Sequence, residues 1–135
     1  MQFVDANIFL RYLTRDHPQK AQACYDLFQR AARGEVTLFT TETIIAEVVY
    51  VLSSPRLYNL SHEAIRQRLT PLLTLSGLRM PKRAIALRAL ELYEAHNVDF
   101  EDALAVAHME HLGIGDILSY DRDFDRFPQI TRIEP

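Results

Sequence analysis

Gln2-Phe3-Val4-Asp5-Ala6-Asn7 is followed directly by Ile8, Leu10, Tyr12 and Leu13, and this join decides the fold class. Residues 2–5 read as a short buried strand ending in Asp5, and Asn7 to Thr14 read as a helix. The same switch recurs along the chain. Pro18 suits a first helical turn, so a helix is expected from His17-Pro18 to about Arg33, with Ala21, Cys24, Leu27, Phe28 and Ala31 at helical spacing and Gly34 as its stop. A strand at 36–39 precedes a helix from Thr40 to Ser54, whose stripe is Ile44, Ile45, Val48, Val51 and Leu52. After a loop from Ser54 to Leu60, Ser61 caps a helix to about Leu75, which Pro71 kinks or breaks. Gly77 and Pro81 bracket a strand at 78–80, and a helix covers 82–95. Asp99 opens a helix ending at Gly113; then come a strand at 116–120, a helical turn at 121–126 and a last strand near 130–133. Strands alternating with helices predict an α/β fold with a parallel sheet covered on both faces.

The bulk numbers set the frame. At 135 residues the chain is expected to be one domain, 1–135, large enough for its own core. Hydrophobic residues at 48% and charged residues at 24% exclude a disordered chain. The single cysteine, Cys24, excludes an internal disulfide and a zinc site built on several thiolates, and is read as a packing residue. No basic segment leads into an apolar run at the start, and no apolar stretch reaches membrane-spanning length, so no secretory signal or membrane association is expected and a cytoplasmic location is the default. The net charge of −3 does not advertise a nucleic-acid partner, although acids gathered in one pocket can mask basic surroundings.

Parallel sheets place ligand sites at the carboxyl ends of their strands. Asp5 ends the first strand and Asp121 follows the strand Ile117-Leu118-Ser119-Tyr120. Asn7, two residues after Asp5, sits at a strand-to-helix junction. Glu47 is one acid inside the apolar helix Ile44-Ile45-Ala46-Glu47-Val48-Val49, on the flank of the stripe, where an ionised carboxylate is costly without a cation or hydrogen bonds. Asp102 lies on the first turn of the helix that Asp99 opens. Each acid also has a plain structural reading. Asp5 can cap the helix after it, Glu47 can be a surface acid, Asp99 and Asp102 fit an acidic capping box, and Asp121 can begin an Asx-turn. Together they form an all-oxygen cluster. Such clusters select hard cations, chiefly Mg²⁺ or Mn²⁺, which activate water and stabilise a leaving oxygen, as phosphodiester hydrolysis requires.

Taken together, Val4-Asp5-Ala6-Asn7, Glu47 in a helix, Phe100-Glu101-Asp102-Ala103-Leu104-Ala105 and Leu118-Ser119-Tyr120-Asp121-Arg122-Asp123-Phe124 resemble the PIN-domain family, and within it the VapC-type toxins of toxin–antitoxin pairs. The resemblance covers essentially the whole chain. It implies a three-layer α/β/α sandwich with a central parallel sheet of about five strands, and an Mg²⁺- or Mn²⁺-dependent endoribonuclease. Asp5, Glu47, Asp102 and Asp121 would carry the catalytic and metal-binding roles, with Asn7, Asp99, Ser119 and Asp123 in support. Ser119 stands where many relatives have threonine, and its hydroxyl can still bond a neighbouring carboxylate. The products implied are a 5′-phosphate and a 3′-hydroxyl. The partners implied are RNA, unpaired RNA above all, a cognate antitoxin protein and a second copy of the chain in a homodimer. Arg11, Arg15, Arg122 and Arg126, near the acidic ends, would hold the RNA backbone.

Two alternatives stay open on the sequence. One is a Mg²⁺-dependent phosphatase, which wants a second aspartate where Asn7 stands; a phosphoacceptor receiver domain fits less well, lacking paired early acids and a late lysine. The other is a catalytically silent domain of the same fold that binds RNA or protein. His108 and His111, three apart, lack the spacing of a zinc-protease helix, and Gly113-Ile114-Gly115 lacks the third glycine of a dinucleotide fingerprint. The cluster Arg79-Met80-Pro81-Lys82-Arg83 reads as a solvated face.

Overall fold

The computed structural model describes residues Met1–Pro135. The chain forms two compact units, Met1–Arg83 and Ala84–Pro135. In chain order the elements are β1 (Gln2–Phe3), α1 (Ala6–Thr14), α2 (Pro18–Ala32), β2 (Leu38–Phe39), α3 (Glu42–Ser53), α4 (His62–Leu73), β3 (Leu78–Arg79), α5 (Arg83–His96), α6 (Phe100–Leu112), β4 (Asp116–Leu118), a 3-10 turn (Arg122–Arg126) and β5 (Thr131–Ile133). Every strand pairing is parallel. The fold is α/β, as the alternation of periods predicts. No helix is long and apolar enough to cross a membrane.

One expectation is corrected. Instead of a single sheet of about five strands, the five strands hydrogen-bond in two sets: β1-β2-β3 in the first unit and β4-β5 in the second. A hydrophobic period marks a strand but carries no information on which edges pair. The strands are also shorter than their apolar runs. Pairing nevertheless continues past the assigned ends, since the Val4 N–H donates to the Phe39 carbonyl at 2.8 Å and the Thr40 N–H to the Arg79 carbonyl at 3.0 Å.

In the first unit, Phe9 and Phe28 are buried with ring centroids 5.4 Å apart, and Tyr12 meets Phe28 edge-on, so an aromatic group joins α1 to α2. Cys24 is buried in the same helix, as a packing residue should be. Pro71 does not break α4; it lies in the last turn, and the helix ends two residues later. Gly77 has no room for a side chain: a Cβ there would collide with the Ala31 carbonyl.

In the second unit, α5 and α6 bury Leu90, Tyr93, Phe100, Ala103 and Val106, with Tyr93 edge-on to Phe100 at 6.0 Å. Phe124 of the 3-10 turn and Phe127 are buried as well, and Phe127 lies against His96 at 4.5 Å. These two phenylalanines anchor the segment that follows β4. Gly113 ends α6 in the left-handed conformation, φ 70°, which glycine adopts without steric cost.

Candidate metal centre

Two short stretches of the second unit build an acidic cluster. The first turn of α6 carries Asp102, half-buried beside the core residue Ala103. The turn after β4 carries Asp121 and Asp123. Its shape comes from its own side chains: the Ser119 hydroxyl accepts a hydrogen bond from the Asp121 N–H at 3.0 Å, and Asp121 Oδ1 accepts one from the Asp123 N–H at 2.9 Å. Asp121 therefore does form the Asx-turn anticipated for it. The Ser119 hydroxyl, expected to donate to a neighbouring carboxylate, accepts instead from a backbone N–H of its own turn. With the turn so folded, one carboxylate oxygen from each of Asp102, Asp121 and Asp123 lies within 4.8 Å of the others.

Three carboxylates at that separation repel one another. The Asp102 carboxyl is pushed up to about 6, first by burial, then by the charges of Asp121, Asp99, Asp123 and Glu101. Asp102 thus sits where a positive charge would relieve both penalties. The donor set is all oxygen, which suits Mg²⁺ or Mn²⁺ and not a thiophilic metal. A countercharge from the chain itself is weak: Arg126 reaches Asp123 at only 3.8 Å, and its guanidinium also donates to the Asn97 carbonyl at 2.6 Å. The residues present fit a hard divalent cation.

The other residues singled out on the sequence fall as follows. Asp5, Asn7 and Glu47 belong to the first unit and are exposed. Asp5 stands at the N-cap position of α1 but makes no side-chain cap bond, so the plain capping reading fails for it. Glu47 is an exposed acid between the buried Ile45, Val48 and Val49. Asp99 occupies the N-cap position of α6, also without the cap hydrogen bond; the capping-box reading is right in position and wrong in bonding. Of the four arginines, Arg11 is paired with Asp16 at 3.0 Å, and Arg126 is engaged as above. Arg15 closes α1 in the left-handed conformation, and Arg122 is exposed.

The residue underrated on the sequence is Asp123, expected only in support and found among the three clustered acids. The signal was present in Ser119-Tyr120-Asp121-Arg122-Asp123. In a turn that bonds residue 121 to residue 123, acids two apart stay near each other, whereas in a helix they diverge.

With this geometry in hand, the comparison with known proteins is direct. A family model described as PIN domain matches residues 3–130. The chain belongs to the PIN-domain family. The match spans both compact units. Among similar proteins, "VapC ribonuclease Mb1869c" of Mycobacterium bovis is 29% identical over 137 aligned positions, covering 98% of this chain and 99% of the relative. "Ribonuclease VapC13" of Mycobacterium tuberculosis matches to the same extent. "VapC ribonuclease" of Aquifex aeolicus is 23% identical over 126, covering 93% of this chain and 91% of the relative.

Proposed function

We propose that this PIN-domain chain is an Mg²⁺- or Mn²⁺-dependent endoribonuclease acting as the toxin of a toxin–antitoxin pair, with residues 1–135 working as one nuclease domain in the cytoplasm. The observation that carries the reading is the cluster of Asp102, Asp121 and Asp123, with its proton affinity raised at Asp102, in a chain whose relatives are named ribonucleases. The phosphatase alternative loses ground on the family match, since no second aspartate stands at position 7 to serve it.

In this reading Asp102, Asp121 and Asp123 hold the cation, and Asp5 is a further acid on which cleavage depends. The cation, when bound, supplies positive charge to the phosphoryl oxygens and to the leaving oxygen. Asp102 must be ionised to act as a ligand; burial first, and then the neighbouring acids, raise its proton affinity, and a bound positive charge would offset both. Glu47 orients the attacking water. Asn7 and Asp99 support the acids, and Ser119 keeps the turn closed through the Asp121 N–H. Arg15 and Arg122 contact RNA phosphates, with Arg11 and Arg126 available once released from their present partners. The antitoxin carries an apolar, arginine-bearing tail, because a guanidinium complements clustered carboxylates. A second copy of the chain completes a homodimer.

Incubation of unstructured RNA with the purified chain is the direct test. Cleavage in Mg²⁺ or Mn²⁺ that stops on adding EDTA is expected. Cleavage that continues undiminished in EDTA, or no cleavage of any RNA by a metal-supplied, folded protein, would overturn the reading.

A further inference from the structure

Arg132 touches none of the three clustered acids, yet its guanidinium spans both ends of the turn that carries two of them. It lies on β5, opposite Ile117 of β4, and its side chain is only 12% exposed. One end of its reach is the Ser119 carbonyl, to which Nη1 donates at 3.1 Å. The other is Asp125 in the 3-10 turn, to which Nε donates at 3.0 Å and Nη2 at 3.5 Å. Nη1 also donates to Glu134 Oε1 at 2.7 Å. Between the two ends run the bonds already described, from the Asp121 N–H to Ser119 Oγ and from the Asp123 N–H to Asp121 Oδ1. These bonds, with the covalent chain from Asp123 to Asp125 completing the circuit, tie residues 119–125 together around Asp121 and Asp123.

We propose that Arg132 is a positioning residue for the cation site, setting the spacing of Asp121 and Asp123 through Ser119 and Asp125. The inference rests on the reading of Asp102, Asp121 and Asp123 as cation ligands. A planar fork with donors on several edges can bridge a carbonyl and a carboxylate at once, whereas an ammonium is a point donor. Partners bonded directly to metal ligands commonly govern metal affinity by about 10–100-fold, and Arg132 acts one bond further out, which points to the lower end of that range.

The sign of the effect separates positioning from two simpler roles. If Arg132 mattered only as a nearby positive charge, Arg132→Met would tighten cation binding and Arg132→Lys would leave it unchanged. If it only supplied a surface ion pair with the exposed Asp125 and Glu134, neither variant would move affinity. Positioning predicts the opposite of the first and a clear departure from the second.

The experiment is Mn²⁺ binding, followed by the electron-spin resonance of free Mn²⁺, on the full-length wild type, Arg132→Met, Arg132→Lys, Asp125→Ala and Asp125→Asn, each checked by circular dichroism. Arg132→Met should weaken binding by about tenfold, Arg132→Lys by less, and Asp125→Ala, which removes the acceptor at the other end, by more than Asp125→Asn, which loses the same charge but keeps an Oδ1 acceptor. Cleavage lost in Arg132→Met should return at high Mn²⁺. Folded variants that bind Mn²⁺ as tightly as the wild type, or more tightly, overturn the positioning role. If Arg132→Met fails to fold, the exposed Asp125 decides, and equal affinity in Asp125→Ala and Asp125→Asn overturns the inference. A wild type that binds no Mn²⁺ would instead remove the cation-site reading on which it stands.

Discussion

Two acidic junctions follow strands in this molecule, and they are built differently. Asp5 leaves β1 at φ −80°, ψ 165° and enters α1 with its carboxylate making no cap bond. Asp121 follows β4 at φ −78°, ψ 112° and enters the 3-10 turn with Oδ1 bonded to the Asp123 N–H. The backbone entry is similar, but the side chains are spent differently. Asp121 is held in place before any ligand arrives, so little freedom is lost on binding. Asp5 forgoes a bond that would stabilise its helix by roughly 1 kcal/mol in a typical protein. A junction that gives up its cap keeps both carboxylate oxygens for something else.

The comparison is broken most sharply by asparagine substitution. Asp102→Asn, Asp5→Asn and Asp121→Asn should each reduce RNA cleavage to background while far-ultraviolet circular dichroism stays native. Asparagine matters at 121 because its Oδ1 can still accept from the Asp123 N–H, so the turn survives while the charge is lost. Wild-type cleavage by Asp5→Asn alone would confine the chemistry to the acids of Ala84–Pro135 and return Asp5 to an uncapped helix start.

The next effect is thermal. A cation that binds only the folded chain at about a hundred times its dissociation constant adds roughly 2.7 kcal/mol. For a chain of this size that is a rise of a few degrees in Tm. Mn²⁺ should produce this rise in the wild type and EDTA should abolish it, while the Asp5→Asn, Asp102→Asn double variant should respond little. An equal response from the double variant would mean that the cation binds elsewhere.

These experiments address what the sequence conveyed unevenly. Element types and order were legible because they follow from local period and punctuation: the stripe of Ile45, Val48 and Leu52, the Pro18 start and the Gly113 stop are all short-range signals. Strand pairing was not, because a hydrogen-bond ladder is a long-range property; the 3+2 division has no trace in the pattern of Phe3, Leu38 or Ile117. In the site, Asp102 and Asp121 could be read from their places at a helix start and a strand end. Asp123 was legible only by way of the Asx-turn at Asp121, since its rank depends on a turn closed by Ser119 and Asp121 side chains. The use of Arg132 was not legible, because its bond to the Ser119 carbonyl joins residues thirteen apart.

A smaller effect concerns pH without metal. The folded Asp102 carboxyl titrates at about 6, whereas an unfolded aspartate titrates near ~3.9. Below pH ~4 both states hold the proton, and Asp102 contributes nothing to the pH dependence. Between there and about 6 the unfolded chain ionises first, so the folded state holds more protons and stability falls as pH rises. Above that range the penalty is complete and constant. Asp102→Asn should therefore melt higher than the metal-free wild type at pH 7, with the gap closing as pH falls through 6 towards 4. A variant that melts lower at pH 7 would show that the Asp102 carboxylate has a stabilising partner in the folded chain.

The smallest effect is expected at Asp99, the third acidic junction, which like Asp5 makes no cap bond. Removing its charge costs α6 no hydrogen bond, and asparagine is itself a good N-cap residue, so Asp99→Asn should fold and melt much as the wild type does. Its influence runs through Asp102 instead. Asp99 ranks behind burial and behind Asp121 among the causes of the raised Asp102 carboxyl. The Asp102 titration, followed by carboxyl carbon NMR, should accordingly move down from about 6 in Asp99→Asn but stay above the ordinary carboxylate range, because the burial remains. The shift should be smaller than in Asp121→Asn, and RNA cleavage should fall only in part. Complete loss of cleavage with an unchanged fold would carry a different message: the carboxylate left free at this junction would then be a ligand in its own right, and Asp99 would stand with Asp102, Asp121 and Asp123.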